Sequence, residues 1–327
     1  MKVGGVTLAG AGSLVAALLL AISMSAVQAQ APVRVLTGYP PGGAVDALAR
    51  VFAETLAEGL GRPVLVETRA GAAGQIAAVA LKTAAPDGNT LMVAPDSVMT
   101  LHPYTVKKPA YDPLADFTPV AHIGSSMNGF AVNASIPASD LREFVHWAKA
   151  SAKNLTYGSG SYGSNQHFMG LMLGQATGVV MVHVPYRGVG PVITDLVAGQ
   201  IVAGMLPLGT LLAQAKAGKI RILAHSGSRR SSVAPDIPTF KELGYPMLEV
   251  QSWFGIFAPA GTRPEVVTRY NEIVVEATRT PAVRERMRRL DLEAREMTPA
   301  EIAAMLKMEY DRWGPIVKAS GFSAETQ

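Results

Sequence analysis

"VRVLTGYPPGGAVDALARVFAETLAEGLGRPVLVETR", residues 33–69, holds two short apolar runs separated by one long helical pattern. VRVLTGY and PVLVETR are rich in β-branched residues and too short for helices, so each reads as a strand. In AVDALARVFAETLAEGLG the apolar residues recur at helical spacing, and Gly61 supplies a natural stop. Strand, helix, strand in about 37 residues is a βαβ unit, which places the two strands parallel with the helix on one face. The join TGYPPGGAVDALAR, residues 37–50, carries two prolines, two glycines and Asp46. Such a loop can cradle an anion, because glycines let backbone N–H groups approach and a helix start has unsatisfied donors. A plain tight turn has the same composition, so both readings stay open at this point.

The alternation continues outward. GQIAAVALKTAA is a helix ended by Pro86-Asp87-Gly88, and TLMVAP is a strand, which completes βαβαβ. A second block begins near GFAVNAS, with ASDLREFVHWAKAS as a helix that Ser139 or Asp140 would cap. LTYGSGS, NQHFMGLMLGQATG, VVMVHVPY, PVITDLVAGQ, IVAGMLPLG and IRILAHSG then read as strand, helix, strand, helix, strand and strand. After EVQSWFGIFAPAG come three charged helices without further strands, a tail that the reading packs back on the first block. The expectation is an α/β chain of two lobes with a mainly parallel sheet in each: residues 30–128 with 250–327, and 129–249. A cleft between lobes, ringed by strand-to-helix loops, is a usual place for a small ligand.

Composition bounds the function. The chain of 327 residues is 49% hydrophobic and 17% charged with a net charge of +4, and no basic run interleaves with aromatics, so nucleic acid is not an expected partner. Lys2 is followed by an uncharged stretch up to Arg34 that contains LVAALLLAISMSAV and ends on Val27-Gln28-Ala29, the pattern of a signal peptide over residues 1–29 cleaved before Gln30. That implies export and a mature protein free of the membrane. Cysteine is absent, which excludes disulfides, thiolate metal sites and a cysteine nucleophile. The six histidines show no metal-ligand spacing, and no metal or cofactor is expected.

The motifs supply donors and few catalytic groups. GSGSYG, residues 158–163, matches a dinucleotide fingerprint, but no acidic residue lies between Phe144 and Ile193 to hold a ribose. Ser159, Ser161 and Ser164 with His167 are the raw material of a hydrolase, without a G-x-S-x-G elbow. VPYRGVGP, residues 184–191, adds Tyr186 and Arg187, the latter able to clamp a carboxylate. Asp46 reads first as a brace, since a first-turn aspartate meets the helix dipole and accepts loop N–H groups.

YPPGGAVDALAR, RAGAAGQIAA, AAPDGNTLMV, YDPLADFTPVA, HVPYRGVGPVITDLVAGQI, AGKIRILA and SWFGIFAPAGT stand in the order and spacing of the Bug family, the substrate-binding receptors of tripartite tricarboxylate transporters. The resemblance runs from about Val33 to Gly321. It implies a type II, two-lobed "Venus flytrap" periplasmic binding protein, without enzymatic activity or cofactor, that closes on a small mono- or dicarboxylate. It further implies a monomer that hands the acid to membrane permease subunits. Carried onto this chain, the ligand contacts would be Tyr39, Pro41, Gly42, Gly43, Asp46, Ser97, Ser159, Ser161, Ser164, His167, Tyr186, Arg187 and Leu206. Many members have an aspartate where this chain has Leu206; its loss argues against an amino-acid ligand and leaves room for an apolar or aromatic body. Gln75, Gly160 and Tyr162 are further departures. A carboxylate sensor for a signalling system, and an exported serine hydrolase using Ser164 and His167, are the alternative readings.

Overall fold

The computed structural model describes residues 31–151 and 155–323. The signal-peptide stretch lies outside the described residues. Among those described, no helix is long and apolar enough to cross a membrane.

The opening stretch folds as its periodicity requires. Strand β1 (Val33–Thr37) pairs in parallel with β2 (Val64–Thr68) through helix α1 (Ala44–Leu60). Val45, Leu48, Ala49, Phe52 and Leu56 form the buried stripe of α1, and Gly61 ends the helix in the left-handed region, donating its N–H to the Ala57 carbonyl. Helix α2 (Gln75–Lys82) leads to β3 (Thr90–Pro95), parallel to β1. Two short helices, α3 (Asp96–Thr100) and α4 (His102–Thr105), precede β4 (Phe117–Asn133).

Strand β4 joins both halves. Phe117 to Met127 pair antiparallel with β9 (Gln251–Pro259), whereas Asn128 to Asn133 pair antiparallel with β7 (Ala203–Pro207) and β8 (Ile220–His225). The continuous order is β2-β1-β3-β9-β4-β7-β5-β6, with β8 on the other side of β4; β5 is Leu155–Ser159 and β6 is Met181–Pro185. In the first half β1, β2, β3 and β4 run one way and β9 alone opposes them; in the second β5, β6, β7 and β8 run together against β4. Each lobe therefore has a mainly parallel sheet with one reversed strand, β9 in the first and β4, the strand shared by both sheets, in the second.

The second half carries α5 (Leu141–Ala150), α6 (Asn165–Thr177), α7 (Val189–Val197) and α8 (Leu208–Lys216). Asp140, not Ser139, caps α5, accepting the Glu143 N–H at 2.8 Å. Helix α8 was not expected: Pro207 and Gly209 flank its start and read as a turn. The tail forms α9 (Pro264–Arg279), α10 (Pro281–Arg289) and α11 (Pro299–Ser320), the last entered through a Thr298–Glu301 capping box. α9 and α10 lie on the first half, but α11 touches both: Leu306 joins the core beside Leu36 and Phe257, while Trp313 and Val317 pack with Phe168 and Leu248.

Candidate functional site

The loop after β1 is held in place from two directions. Gly38 lies so close to the next loop that a Cβ there would sit 2.5 Å from the Gly74 Cα, so two backbones meet where no side chain fits. Asp46 is buried and accepts the Gly42 N–H at 3.1 Å and the Arg50 guanidinium at 3.0 and 3.1 Å. The Arg50 hydrogen bonds and the Gly42 amide hold its carboxyl below the usual range. Asp46→Ala removes all three bonds, and the expected result is a loss of about 1–2 kcal/mol in urea unfolding, with Asp46→Asn losing less because an amide oxygen can still accept from Gly42.

The adjacent turn, Gly71 to Gly74, keeps four successive residues at positive φ, including Ala72 (45°) and Ala73 (52°). Left-handed alanines cost energy that the surrounding packing must offset, and such strain gathers at ligand loops. The amides of Ala72 and Ala73 have no backbone acceptor among the described residues. The Tyr39 phenol donates to the Ala73 carbonyl at 3.2 Å and bonds the Ser97 side chain. Burial pushes this phenol up to about 12, so it stays a neutral hydroxyl at physiological pH.

Facing these groups is the start of α6. Ser164 caps the helix, accepting the His167 N–H at 3.3 Å, and donates to the Ser161 carbonyl at 2.9 Å. Ser159, fully buried, also donates to the Ser161 carbonyl at 2.9 Å and lies 2.8 Å from His183 Nε2. The His167 and His183 rings stack with centroids 3.9 Å apart. Burial holds His167 down at about 4 and His183 at about 3, the latter also lowered by its neighbour, so both imidazoles are neutral near pH 7.

Between the two sides lies a cavity of about 340 Å³ lined by Tyr39, Ala72, Ala73, Gln75, Ser97, His102, Thr105, Val106, Ser161, Tyr162, Gly163, Ser164 and Phe322. Two larger surface concavities, of about 790 and 710 Å³, lie elsewhere, over α1 with α9 and behind the crossover strands; neither is lined by a predicted ligand residue. Beside the 340 Å³ cavity the halves are tied by Asn165, whose amide donates to the buried Asp96 carboxylate at 2.7 Å, and by Gln166, which donates to Asn128 at 2.8 Å. Burial raises Asp96 to about 7 against the opposing effect of its hydrogen bonds.

Of the thirteen predicted contacts, Tyr39, Ser97, Ser161 and Ser164 line this cavity together. Ser159 and His167 stand behind the wall, with Ser159 turned inward. Pro41, Gly42 and Gly43 are exposed near the α1 start, and Asp46 acts on the loop from beneath. Tyr186 donates to Asp195 at 2.7 Å, and Arg187 is exposed without a partner among the described residues. Leu206 is not at a cleft mouth: it is fully buried with Val192, Leu196 and Ile201, because its position on β7 points into the apolar layer under that sheet. Sequence reasoning missed Ala72, Ala73, His102 and Phe322. The paired glycines of GAAG were a usable signal for the first two; nothing local marked Phe322, which arrives from the far end of the chain.

Chemically the cavity offers hydroxyl, amide and backbone donors, with no carboxylate, lysine or arginine in its wall; the one basic side chain there is the His102 imidazole, whose pKa burial lowers. Ser164 and His167 do not form a nucleophile–base pair: the Ser164 proton points to Ser161, and His167 Nδ1 accepts the Gly163 N–H at 3.2 Å. No group of three metal-ligating side chains occurs among the described residues.

A two-lobed α/β fold, with crossover strands and a donor-lined cavity between the halves, defines a solute-binding protein. Residues 48–322 match the family described as Tripartite tricarboxylate transporter family receptor. Protein BugT of Bordetella pertussis is 31% identical over 291 residues, 89% of each chain. Among solved structures, MatC from Rhodopseudomonas palustris with bound malate is 31% identical with a TM-score of 0.75, covering 88% of this chain and 98% of the other. The R. palustris protein Rpa4515 with adipate is 29% identical with a TM-score of 0.78, covering 89% and 98%. The chain belongs to the tripartite tricarboxylate transporter receptor family, whose members are periplasmic binding proteins and not enzymes.

Proposed function

We propose that this protein captures an organic carboxylate in the 340 Å³ cavity and presents it to the membrane permease subunits of a tripartite transporter. The observation that carries the reading is the cavity's chemistry: Tyr39, Ser97, Gln75 and the strained Ala72–Ala73 backbone on one side, Ser161 on the other, and no carboxylate in the wall to repel an anion. Relatives with malate and adipate bound support the same ligand class. Residues 30–128 with 250–327 and residues 129–249 act as the two lobes, bending where β4 and β9 cross; closure gains only from contacts made in the shut state. Residues 1–29 direct export and are removed, and the mature protein works as a monomer.

The test is a thermal-shift panel on the purified mature protein. A ligand at about 100 times its Kd adds about 2.7 kcal/mol to native stability, so at least one mono- or dicarboxylate is expected to raise Tm by several degrees. A panel in which organic acids are silent and amines or sugars shift Tm overturns the reading. Tyr39→Phe, which deletes a hydroxyl in the cavity wall, is expected to weaken binding of the responding acid about tenfold.

A further inference from the structure

We infer that the ligand of this cavity is a monocarboxylate with a flat aromatic body, the carboxylate at the Tyr39–Ser97 end and the ring against Tyr162 and Phe322. The inference rests on the carboxylate reading and adds to it the part of the molecule the carboxylate does not describe.

The wall on the α6 side is aromatic. Tyr162 and Phe322 both line the cavity, with ring centroids 4.5 Å apart and planes tilted 41°. Behind Tyr162 the His167 ring stacks at 5.1 Å and 23°, and His183 at 5.9 Å and 27°. Phe322 meets His167 and Phe168 edge-on at 5.2 and 5.3 Å. Rings packed this way present faces and edges in the offset and T-shaped arrangements that a further ring can join. Both imidazoles are neutral, since burial holds their pKa values far below 7, so the cluster carries no positive charge toward the cavity.

The polar groups on that side are engaged. Ser159 and Ser164 each donate their one hydroxyl proton to the Ser161 carbonyl. Tyr186 donates to Asp195. Ser161 and Tyr162 keep hydroxyls without a hydrogen-bond partner among the described residues, and no lysine or arginine lines the cavity. A second carboxylate pressed on this wall would give up its water with no cation and only the Ser161 and Tyr162 hydroxyls to replace it, a poor exchange for a buried charge. On the Tyr39 side the donors converge from three segments, Tyr39, the Ala72–Gln75 turn and Ser97. The size agrees: a cavity of roughly 150 Å³ is enough for benzene, and this one is about 340 Å³. The aromatic preference comes from Tyr162 and Phe322 and owes nothing to Leu206, which lies in the core.

Isothermal titration of the mature protein with benzoate, phenylacetate, malate and adipate decides the matter. At least one of the two arenes is expected to bind ten or more times tighter than either aliphatic dicarboxylate. In Tyr162→Ala and Phe322→Ala, the tighter arene should lose about tenfold while any dicarboxylate binding stays within about twofold. Phe322 packs on Tyr162, His167 and Phe168, so its variant is expected to lose some melting temperature as well; the ligand ranking on the unmodified protein stands as evidence without either variant. Dicarboxylates that match or exceed both arenes overturn the aromatic inference and leave the carboxylate reading intact. Silence from all four acids overturns the aromatic inference, and the wider acid panel then decides the carboxylate reading. Equal losses for both ligand classes in the two variants also overturn the inference.

Discussion

Lowering the pH from 7 to 5 is expected to cost the folded chain about 4 kcal/mol in urea unfolding, far more than surface carboxylates would produce in that window. His122, His167 and His183 are neutral in the fold because burial holds them at about 4, about 4 and about 3. An unfolded imidazole titrates near 6.5. A base whose folded pKa is depressed contributes stability that is fully present above its unfolded pKa and is lost as pH falls below it, because the unfolded chain then binds the extra proton. Each imidazole accounts for about 2 kcal/mol between pH 7 and 5. Asp96 works in the other direction: its folded pKa of about 7 lies above that of an unfolded carboxyl, so acidification protonates the native state first and returns about 2 kcal/mol over the same interval.

Two variants separate these contributions. His183→Gln keeps a side chain that can bond Ser159 and removes one titrating ring, so its loss between pH 7 and 5 should shrink by about 2 kcal/mol. Asp96→Asn keeps an acceptor for the Asn165 amide and removes the opposing group, so its loss should grow by about the same amount. Unfolding curves for the three proteins that move in parallel with pH would contradict the assignment of these groups.

Gly170→Ala is expected to destabilise the protein by about 3 kcal/mol, for a one-carbon change in a helix. A Cβ at Gly170 would lie 2.0 Å from Tyr157 Cε2 and 2.3 Å from its Cζ. The ring cannot move aside, because Tyr157 is fully buried and its hydroxyl donates to the His167 carbonyl at 2.6 Å, one turn earlier on the same helix. Helix α6 must shift outward instead, and it carries Ser164, Asn165 and His167 at its start. The melting temperature should therefore fall by roughly 6–10 °C, with weaker ligand binding alongside. Gly190→Ala is the control: in α7, with nothing within 4 Å of its added Cβ, it should leave Tm unchanged or raise it slightly. A wild-type melt for Gly170→Ala would mean that α6 and β5 are not packed as described.

The distribution of what was readable follows from the range of the forces involved. Strands β1 to β3, helix α1 and the three tail helices were legible because one buried face and one solvated face impose a period on adjacent residues. Strand β4 was not read as a strand, only as the start of a second block near GFAVNAS, since 17 residues of mixed apolar and small polar character exceed an ordinary strand, and its first part is ordered by pairing with β9 more than a hundred residues away. Helix α8 was lost to Pro207 and Gly209, yet its N-terminus is held from a distance by Asp291, which accepts the Gly209 N–H at 2.6 Å. At the site, the residue types of Tyr39, Ser97, Ser161 and Ser164 were visible, but the direction of each hydroxyl was not. Leu206 shows the same limit, since its face depends on strand register.

Sequence alone determined the alternation of strands and helices, the donor-rich loops at strand ends, Asp46 as a candidate brace, and, through seven ordered motifs, the family. Tertiary structure alone decided which donors face a common cavity, that the Ser159 and Ser164 protons are already engaged, and that Phe322 closes an aromatic wall with Tyr162. Helical and strand periods arise between neighbours and leave a mark in every window of the chain. A cavity wall is assembled from residues as far apart as Tyr39 and Phe322, and hydroxyl directions answer to partners that only folding supplies.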